Sequence, residues 1–516
     1  MFSRLTGTRR ADLATLALAL ALIVFGGFGH PIEEAGTAER DGFVAQAETF
    51  LGGEIPRDPY RPLLYPLLTA GLAVLGLAPF AAARLLSNLA AALLARAAYA
   101  FAARLDPRPN AELSVSGAWA MALTAANPNL WILGQHTTTD MIFGAVAAGL
   151  LVGLLDYARA PSHRRAAALG ALYGVAAFLR GNALFLLPGI ALALLLAPLP
   201  WRRRLAQGAV AAGVAALVLL PHFALRQASF GDPFHDENWK NLAWKLYGEG
   251  DWSYLERVPF ANLGAVVAAD PARVVAGGVG ELARFARSGA SQLFGTPLHA
   301  GFALAGLGAL CAWGRRREAG LLAVAAGVFL GGLALVFFTW GRFLLVLLPL
   351  GMAFGAAGTA VLVDRAGGSR RLRWAATAAL AGALVILTAK TALFQLPAFL
   401  RRHPVAELAV LTELAAAHPG VTLAGTAPFL GRRLPSPYFP LPDAFGPEIQ
   451  EPARYWTRLE PQLRARDVRF LVVSALELRD RPRSLLDAEA PVTWLERVGA
   501  GGGTVTWAVK PREGGP

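Results

Sequence analysis

Acidic and basic side chains recur beside the ends of apolar segments in this sequence. In the stretch AERDGFVAQAETFLGG (residues 38–53), Asp41 stands near the start of a helical pattern, and Arg61 follows it before PLLYP. HTTTD places Asp140 at the start of an apolar run, and FLRGN places Arg180 at the end of another. Arginine binds phosphate through paired hydrogen bonds, and a carboxylate can take a proton from an attacking hydroxyl. These residue types suit displacement of a phosphate leaving group, whose charge arginine stabilises.

Two further segments and one apolar run carry candidates for supporting roles. GDPFHDENWKNLAWKLYG contains Lys240, a third candidate for binding phosphate, together with His235 and Glu237. TWGR ends in Arg342, and AARLL contains Arg84. A divalent cation (Mg, Mn or Zn) held by Asp41 and Asp140 is left open as a cofactor; no cofactor is certain.

Each candidate also has a purely structural interpretation. An acid at a helix start complements the helix dipole, which would explain Asp41, and Asp140 could cap its span. Arginines at span ends extend toward lipid headgroups. His235, Asp236 and Glu237 could ligate a metal, but adjacent residues rarely all face one ion, so an ordinary polar loop is the simpler interpretation. The tryptophans of GDPFHDENWKNLAWKLYG, Trp239 and Trp244, are either interfacial anchors or a sugar-stacking surface.

Composition defines the setting of these residues. Apolar residues make up 55% of the 516, mean hydropathy is +0.45, and only 16% are charged, against roughly 25% in soluble domains. The chain is therefore a polytopic α-helical membrane protein. Its net charge of +13 comes largely from short arginine-rich loops, which set orientation and do not indicate nucleic acid. The single cysteine, Cys311, excludes a disulfide within the chain.

Apolar runs predict about 11–12 transmembrane helices. The first is a retained signal anchor, because it lacks a clear cleavage site. The predicted spans are 11–29, 62–79, 84–103, 111–131, 141–157, 166–181, 184–199, 205–221, 296–313, 319–338, 343–362 and 374–395.

The positive-inside rule places the arginine-rich loops and the N-terminus in the cytoplasm. Segments 31–61 and 222–295 and everything after residue 395 then lie outside. One conflict remains: two apolar segments separate 31–61 from the basic loop ARLDPRPN, where the rule allows one crossing. Either 62–79 does not fully cross, or ARLDPRPN violates the rule.

Two domains follow from the change of composition near residue 395. Residues 1–395 form the membrane domain, and residues 396–516 form a small soluble α/β domain. In that tail VTLAG, VRFLVV and TVTWAV read as strands, and PVAELAVLTELAAAH and EPARYWTRLEPQLRA read as helices.

The helix around residues 38–53 has its own local signals. Thr37 is its predicted cap, Glu39 and Asp41 suit its first turn, and Gly52-Gly53 end it. Phe43, Ala47, Phe50 and Leu51 form its predicted apolar stripe, so the helix would lie on the outer membrane surface.

Several of these motifs together resemble the GT-C superfamily of integral-membrane glycosyltransferases. DGFVAQAETFLGG resembles the acidic first-loop motif of the dolichyl-phosphate-mannose protein mannosyltransferase and lipid A aminoarabinose transferase group. RPLLYPLLTAGLAVLG resembles the start of the next span in that group, and AARLLSNLAAALLA the segment after it. TTTDMIF resembles its second acidic site, and GRFLLVLLPL a late span with a leading arginine. The resemblance covers most of residues 1–400.

The resemblance implies a GT-C-like fold and transfer of a sugar from a polyprenyl-phosphate donor to a lipid, glycan or protein acceptor of the cell envelope. A single displacement at the anomeric carbon would invert its configuration. It implies a catalytic Asp41, a second acid at Asp140, a donor-phosphate ligand at Arg61 and support from Arg84. The location implied is the bacterial inner membrane, with the active site and tail in the periplasm. The sequence departs from the family at Gly42, where many members have a second acid, and at Arg61, where many have lysine.

Two other classes of function compete with this interpretation. A transporter or lipid-linked-sugar flippase would carry charged or broken helices at mid-membrane and inverted symmetry between its halves. The polar groups here lie mostly at span ends. A non-catalytic scaffold would have no need to gather carboxylates and arginines around one site.

Overall fold

The architecture of the protein is a helical membrane unit and a separate sheet-containing unit. The computed structural model describes residues 7–28, 42–106, 114–248, 258–336, 339–396, 406–426, 434–441, 452–474, 486, 491–501 and 504–511.

Helices occupy most of the chain up to residue 395. They are α1 Gly7–Phe28, α2 Phe43–Leu51, α3 Leu64–Val74, α4 Pro79–Leu105, α5 Val115–Ala125, α6 Pro128–Gly134, α7 Thr139–Arg159, α8 His163–Leu179, α9 Leu187–Leu195, α10 Trp201–Phe230, α11 Asn238–Tyr247, α12 Leu263–Ala269, α13 Pro271–Arg284, α14 Ala290–Phe294, α15 Pro297–Trp313, α16 Arg316–Leu335, α17 Leu347–Arg365 and α18 Arg370–Lys390. Two 3-10 turns, Gly181–Leu186 and Gly341–Leu344, precede α9 and α17.

The predicted class, an all-α polytopic membrane protein with a small C-terminal α/β domain, is confirmed. Within the described residues, six helices are long and apolar enough to cross a membrane, or seven if the bent pair α12 and α13–α14 counts as one span. Four more apolar helical segments, α3, α5, 181–195 and α15, are shorter. Each predicted span coincides with one or two of the helices.

The length of α3 bears on the topological conflict in the sequence. Eleven residues of α-helix rise only about 16 Å, half of the roughly 30 Å hydrocarbon core. The helix is therefore too short to cross the bilayer alone. This favours the alternative in which 62–79 does not fully cross and the rule holds for ARLDPRPN.

Small residues allow the membrane helices to pack closely, as is usual where lipid supplies no hydrophobic driving force. Helix α4 packs against α1, α5, α7 and α17, and α15 packs against α17. A Cβ at Gly306 on α15 would lie 2.2 Å from the carbonyl oxygen of Phe354. On α17, a Cβ at Gly358 would lie 2.3 Å from the Cα of Gly306. The backbones of these two helices are thus in direct contact.

We expect Gly306→Ala to destabilise the protein, because its methyl group would collide with backbone that cannot rotate away. Overpacking of this kind costs about 1–3 kcal/mol. Thermal unfolding in detergent measures the effect. The matched control is Gly308→Ala on the same helix, where a Cβ has nothing within 4 Å, so unfolding there should be unchanged or slightly later. Equal behaviour of the two variants would contradict the close approach.

Helix α2 begins later than the predicted start of the first outer helix. Within the described residues it begins at Phe43, and its capping residue is Gly42, whose φ is 71°. The predicted cap Thr37 and the predicted first-turn acids Glu39 and Asp41 lie outside the described residues. Phe43, Val44 and Ala47 are the buried residues of α2, and Leu51, placed in the predicted stripe, is 42% exposed.

The second unit contains a five-stranded mixed sheet. Its elements are α19 Ala406–Ala417, β1 Thr422–Gly425, β2 Tyr438–Pro440, α20 Pro452–Ala465, β3 Val468–Ser474, β4 Leu495–Gly501 and β5 Thr504–Val509. The strand order is β2-β1-β3-β5-β4; β1 is parallel to β2 and β3, and β5 is antiparallel to β3 and β4.

The buried residues of this unit explain why the predicted helix and strand pack together. Tyr455, Leu459 and Leu463 of α20 are fully buried with Trp507 of β5, because their spacing keeps them on one helix face. The predicted helices and the three predicted strands are present. The edge strands β2, of three residues, and β4, of seven, were not predicted. The domain boundary at 395/396 stays a prediction.

Candidate functional site

Asp140 is a buried carboxylate on the first turn of α7. Its side chain is only 1% exposed. Thr138 Oγ1 donates a hydrogen bond to Oδ2 at 2.8 Å, a guanidinium nitrogen of Arg180 contacts Oδ1, and Arg342 Nη1 lies 3.7 Å from Oδ2. The capping residue of α7 is Thr138, so the predicted cap role of Asp140 is wrong. The carboxylate is instead held by two arginines and a hydroxyl.

The two arginines reach Asp140 from chain segments that lie outside the α-helices. Arg180 follows the last residue of α8 in extended conformation, with φ −161°, and Arg342 lies in the short 3-10 turn Gly341–Leu344. Both guanidinium groups lie over the ring of Phe343, at 4.3 and 4.8 Å from its centroid. Such cation–π contacts help to hold two like charges near each other.

The cluster is rich in positive charge. Two guanidinium groups face the single carboxylate of Asp140. The arginine side chains are 18% and 26% exposed, so their charges are only partly screened by solvent. The cluster of Asp140, Arg180, Arg342 and Phe343, here called the α7 cluster, is suited to an anionic group.

Arg61 lies in a tight turn organised by Asp58. Asp58 Oδ1 accepts hydrogen bonds from the backbone N–H of Tyr60 (2.8 Å) and of Arg61 (2.9 Å). Asp58 Oδ2 accepts from Gln46 Nε2 at 2.6 Å and from Arg61 Nη1 at 3.2 Å. The side chain of Asp58 is 8% exposed and that of Arg61 is 41% exposed. The turn therefore fixes the backbone of Arg61 and leaves its guanidinium accessible.

Three residues from other segments support this turn. The guanidinium of Arg226, which is buried, donates to the carbonyl oxygens of Asp58 and Arg61. Asn238 Nδ2 donates to the carbonyl of Tyr60 at 2.6 Å, and the N–H of Glu237 donates to the carbonyl of Pro59 at 3.0 Å. Segment 231–238 thus contributes to the site by holding the Asp58–Arg61 turn.

The Arg61 turn and the α7 cluster are connected along two routes. On the first, a Cβ at Gly181, next to Arg180, would lie 3.7 Å from Asn238 Nδ2, the group that binds Tyr60. On the second, the ring of Tyr65 is 5.5 Å from that of Phe43.

The second route continues from Tyr65 through hydrogen bonds. Its hydroxyl is 3.1 Å from Ser87 Oγ, which donates to the carbonyl of His136 at 2.7 Å, four residues before Asp140. The guanidinium of Arg61 lies 5.8 Å from the centroid of Phe43, at the other end of this route. The structure therefore gathers Arg61, Arg180, Arg342 and Asp140 in one region.

Asp41 lies outside the described residues. Two residues later, Phe43 is buried beneath Arg61 and against Tyr65. Gly42 has positive φ, a conformation that residues with a Cβ rarely adopt, although nothing lies within 4 Å of a Cβ built there. The backbone conformation therefore gives a physical reason for glycine at the position where the resembling family often has an acid.

The remaining predicted site residues have the following surroundings. His235 Nε2 is 3.9 Å from Glu237 Oε1, and its ring stacks on Phe230 with centroids 4.2 Å apart. Lys240 lies on α11, two residues after Asn238. Arg84 of α4 packs over the ring of Phe80, one turn earlier, at 5.7 Å. The roles predicted for these four residues stay predictions.

The donor set at Asp140 does not fit a divalent cation. Its two oxygens face guanidinium groups and a hydroxyl, so a metal there would meet like charge. Asp236, another candidate ligand, already accepts a hydrogen bond through Oδ1 from the N–H of Asn238, the first residue of α11, at 2.8 Å. Among the residues that the structure describes, no three His, Cys, Asp or Glu side chains group as a metal site would require.

The helical arrangement and the tail sheet together form a GT-C-like fold, as the sequence predicted. Two solved structures that share it are of ArnT from Cupriavidus metallidurans, bound to undecaprenyl phosphate and in the apo state. They have 16% and 18% identity and TM-scores of 0.50 and 0.52, and the match covers 97% of this chain and 99% of theirs.

A third structure with this fold is the archaeal oligosaccharyltransferase AglB from Archaeoglobus fulgidus, in complex with an inhibitory peptide and a dolichol-phosphate. Its identity is 12% and its TM-score 0.50, over 90% of this chain and 69% of AglB. No protein-family model and no curated protein matches the sequence. At these identities the likeness establishes the fold.

Sequence reasoning missed several residues of the site. Asp58, Tyr65, Arg226 and Phe343 were not singled out, although the first three make its central hydrogen bonds. A signal for Asp58 was present: Asp-Pro in RDPYR is typical of a turn in which the aspartate binds the backbone two residues on. For Arg226 and Phe343 the sequence offered no signal, because Arg226 is one of several arginines beyond the ends of spans and Phe343 is one of many aromatic residues in apolar runs.

Proposed function

We propose that this protein is a membrane glycosyltransferase that moves a sugar from a polyprenyl-phosphate donor to an acceptor hydroxyl. The observation that carries the proposal is the meeting of two guanidinium groups, Arg180 and Arg342, at the carboxylate of Asp140, with the segment after Arg180 in contact with the residue that holds the Arg61 turn. An ArnT structure bound to undecaprenyl phosphate and an AglB structure with dolichol-phosphate support a lipid-phosphate donor for this fold.

The proposed reaction is a single displacement. The acceptor oxygen attacks the anomeric carbon of the donor sugar, and the bond from that carbon to the phosphate oxygen breaks. The phosphate leaves with the bonding electron pair, and the carboxylate of Asp41 takes the hydroxyl proton. Because attack and departure occur on opposite faces, the configuration at the anomeric carbon inverts.

In this proposal the arginines stabilise the leaving phosphate. Arg61 binds it directly, since its backbone is fixed by Asp58 while its guanidinium is accessible. Arg180 and Arg342 supply the positive field, and Asp140 holds these two in place. Preorganised cations of this kind lower the barrier because they need not reorient as charge develops. Lys240 is a further candidate ligand of the phosphate.

The proposed location is the bacterial inner membrane, with the N-terminus in the cytoplasm and the tail in the periplasm. The arginine-rich loops support this orientation, because basic loops stay on the cytoplasmic side. The Arg61 turn, Arg180 and Arg342 then lie at the periplasmic face. The acceptor is a component of the cell envelope.

The test is transfer of label from radiolabelled polyprenyl-phosphate sugars in membranes that contain the protein. We expect Arg61→Met to lower transfer about 10²-fold, because the leaving phosphate loses a charged donor. The matched control is Arg57→Met, an exposed arginine four residues away, which should keep full activity. Label that enters no acceptor with any donor would overturn the proposed function.

A further inference from the structure

A cleft of about 430 Å³ lies on the surface of the second unit, beside α20. Trp456, Thr457 and Glu460 line one wall, together with Ala453, on one face of that helix. Segment 491–494 lines the other wall with Val492 and Trp494. The volume is in the usual range of small-molecule sites, roughly 300–1,000 Å³. No role described above uses this cleft.

The acid in the cleft is charge-balanced. Arg464 Nε donates to Glu460 Oε1 at 2.8 Å, and the side chain of Glu460 is 35% exposed. Among the described residues, Glu460 Oε2 accepts no hydrogen bond. Because Arg464 already balances the negative charge of Glu460, a ligand of the cleft need not be a cation. It offers a strong acceptor to a neutral group that donates, such as a hydroxyl.

The two tryptophans supply an aromatic surface with polar edges. Their rings are nearly perpendicular, at 75°, with centroids 6.0 Å apart. Trp456 is 3% exposed and forms the floor, while Trp494 is half-buried. Within the described part of the chain, neither indole N–H donates a hydrogen bond. The cleft therefore combines an apolar platform, unused N–H donors and a carboxylate acceptor.

We propose that this cleft binds a neutral saccharide. A pyranose ring presents C–H groups on its faces and hydroxyls around its edge, which match an aromatic platform bordered by polar groups. Trp494 packs against one face of the ring, a hydroxyl donates to Glu460 Oε2, and an indole N–H donates to a ring or hydroxyl oxygen. The proposal concerns the second unit alone and does not depend on the transfer reaction.

The experiment is saturation-transfer difference NMR on the full-length protein in nanodiscs. The probes are neutral disaccharides of glucose, mannose and N-acetylglucosamine, tested one at a time. We expect saturation of the ring protons of at least one probe by the wild-type protein. Glu460→Gln should weaken its binding about tenfold, because a charged acceptor becomes a neutral one, and Trp494→Ala should abolish it.

Two controls separate binding from folding. Glu496→Gln changes an exposed acid of β4 in the same unit, and Trp374→Ala removes a tryptophan of α18 that is 65% exposed. Both should bind as the wild type does. Unchanged binding in Glu460→Gln and Trp494→Ala, or no saturation with any probe, would overturn the proposal. Circular dichroism of both cleft variants checks that the sheet is retained.

A free glycan and the sugar of a lipid-linked donor offer the same chemistry. Adding polyprenyl-phosphate sugar to the nanodiscs distinguishes them: displacement of the bound disaccharide assigns the cleft to the lipid-linked sugar. Binding that persists assigns it to a free or acceptor glycan. Either result supports a saccharide site.

Discussion

Asp140→Asn is expected to unfold earlier than the wild type and to lose sugar transfer. In the wild-type protein this carboxylate is 1% exposed and faces Arg180 and Arg342. Replacing it with a neutral amide removes the carboxylate that both guanidinium groups face, in a poorly solvated region. Removing one partner of a buried ion pair costs about 3–5 kcal/mol, and Asn, which keeps a hydrogen-bonding oxygen, should fall at the low end.

The effect on transfer follows from the geometry of the same cluster. Without the carboxylate the two arginines repel each other, and only the ring of Phe343 still holds them together. We expect transfer to fall by at least about 10²-fold, because the positive field is no longer preorganised for the phosphate. Thermal unfolding in detergent and label transfer in membranes measure the two effects.

A double variant separates the charge effect from simple loss of packing. Asp140→Asn combined with Arg180→Met removes one of the two positive charges that faced the carboxylate, so part of the lost stability should return while transfer stays low. The control is Asp467→Asn, which breaks an exposed ion pair with Arg469 at a position of φ 48° that asparagine tolerates. If Asp140→Asn alone is as stable as the wild type, the two arginines do not depend on Asp140 to balance their charge.

Asp41→Asn is expected to have the largest effect on transfer, with little effect on stability. If Asp41 takes the proton of the acceptor hydroxyl, an amide of the same shape cannot replace it. Loss of a general base typically lowers the rate about 10²–10⁴-fold. Donor binding should persist, because the proposed phosphate ligands are untouched. The measurements are label transfer at saturating donor and photo-crosslinking of a polyprenyl-phosphate probe.

The matched control for this variant is Glu48→Gln, an exposed acid on α2. It changes one carboxylate to an amide close by in the chain, and it should retain activity. Full transfer by Asp41→Asn would exclude this residue as the base and leave the phosphate-binding role of the arginines intact. Asp140→Asn and Asp41→Asn therefore test different parts of the proposal. The first tests the positive field around the phosphate, and the second tests the proton transfer.

Gly42 shows how a residue can be recognised in a sequence without its reason being evident. The sequence marks it as a departure from the resembling family. The structure gives it φ 71° at the cap of α2, a local requirement that a one-dimensional pattern does not contain.

The sequence by itself determined the class of this protein. Long apolar runs without charge predict membrane helices, because unpaired backbone is too costly in lipid, and each predicted span coincides with one or two helices of the structure. In the tail, apolar residues at helical spacing determined the helices, and alternating apolar residues determined the three central strands. These signals are local and periodic, so neighbouring residues suffice to specify them.

Only the tertiary structure decided which polar groups meet. Asp140, Arg180 and Arg342 come from three separate segments, and the spacing of about 40 and 160 residues between them says nothing about their distance. The roles of Arg226 in fixing Arg61 and of Phe343 in holding two like charges were also decided there. Such contacts depend on how helices pack against each other, and close packing is set by small residues such as Gly306 across distant parts of the chain.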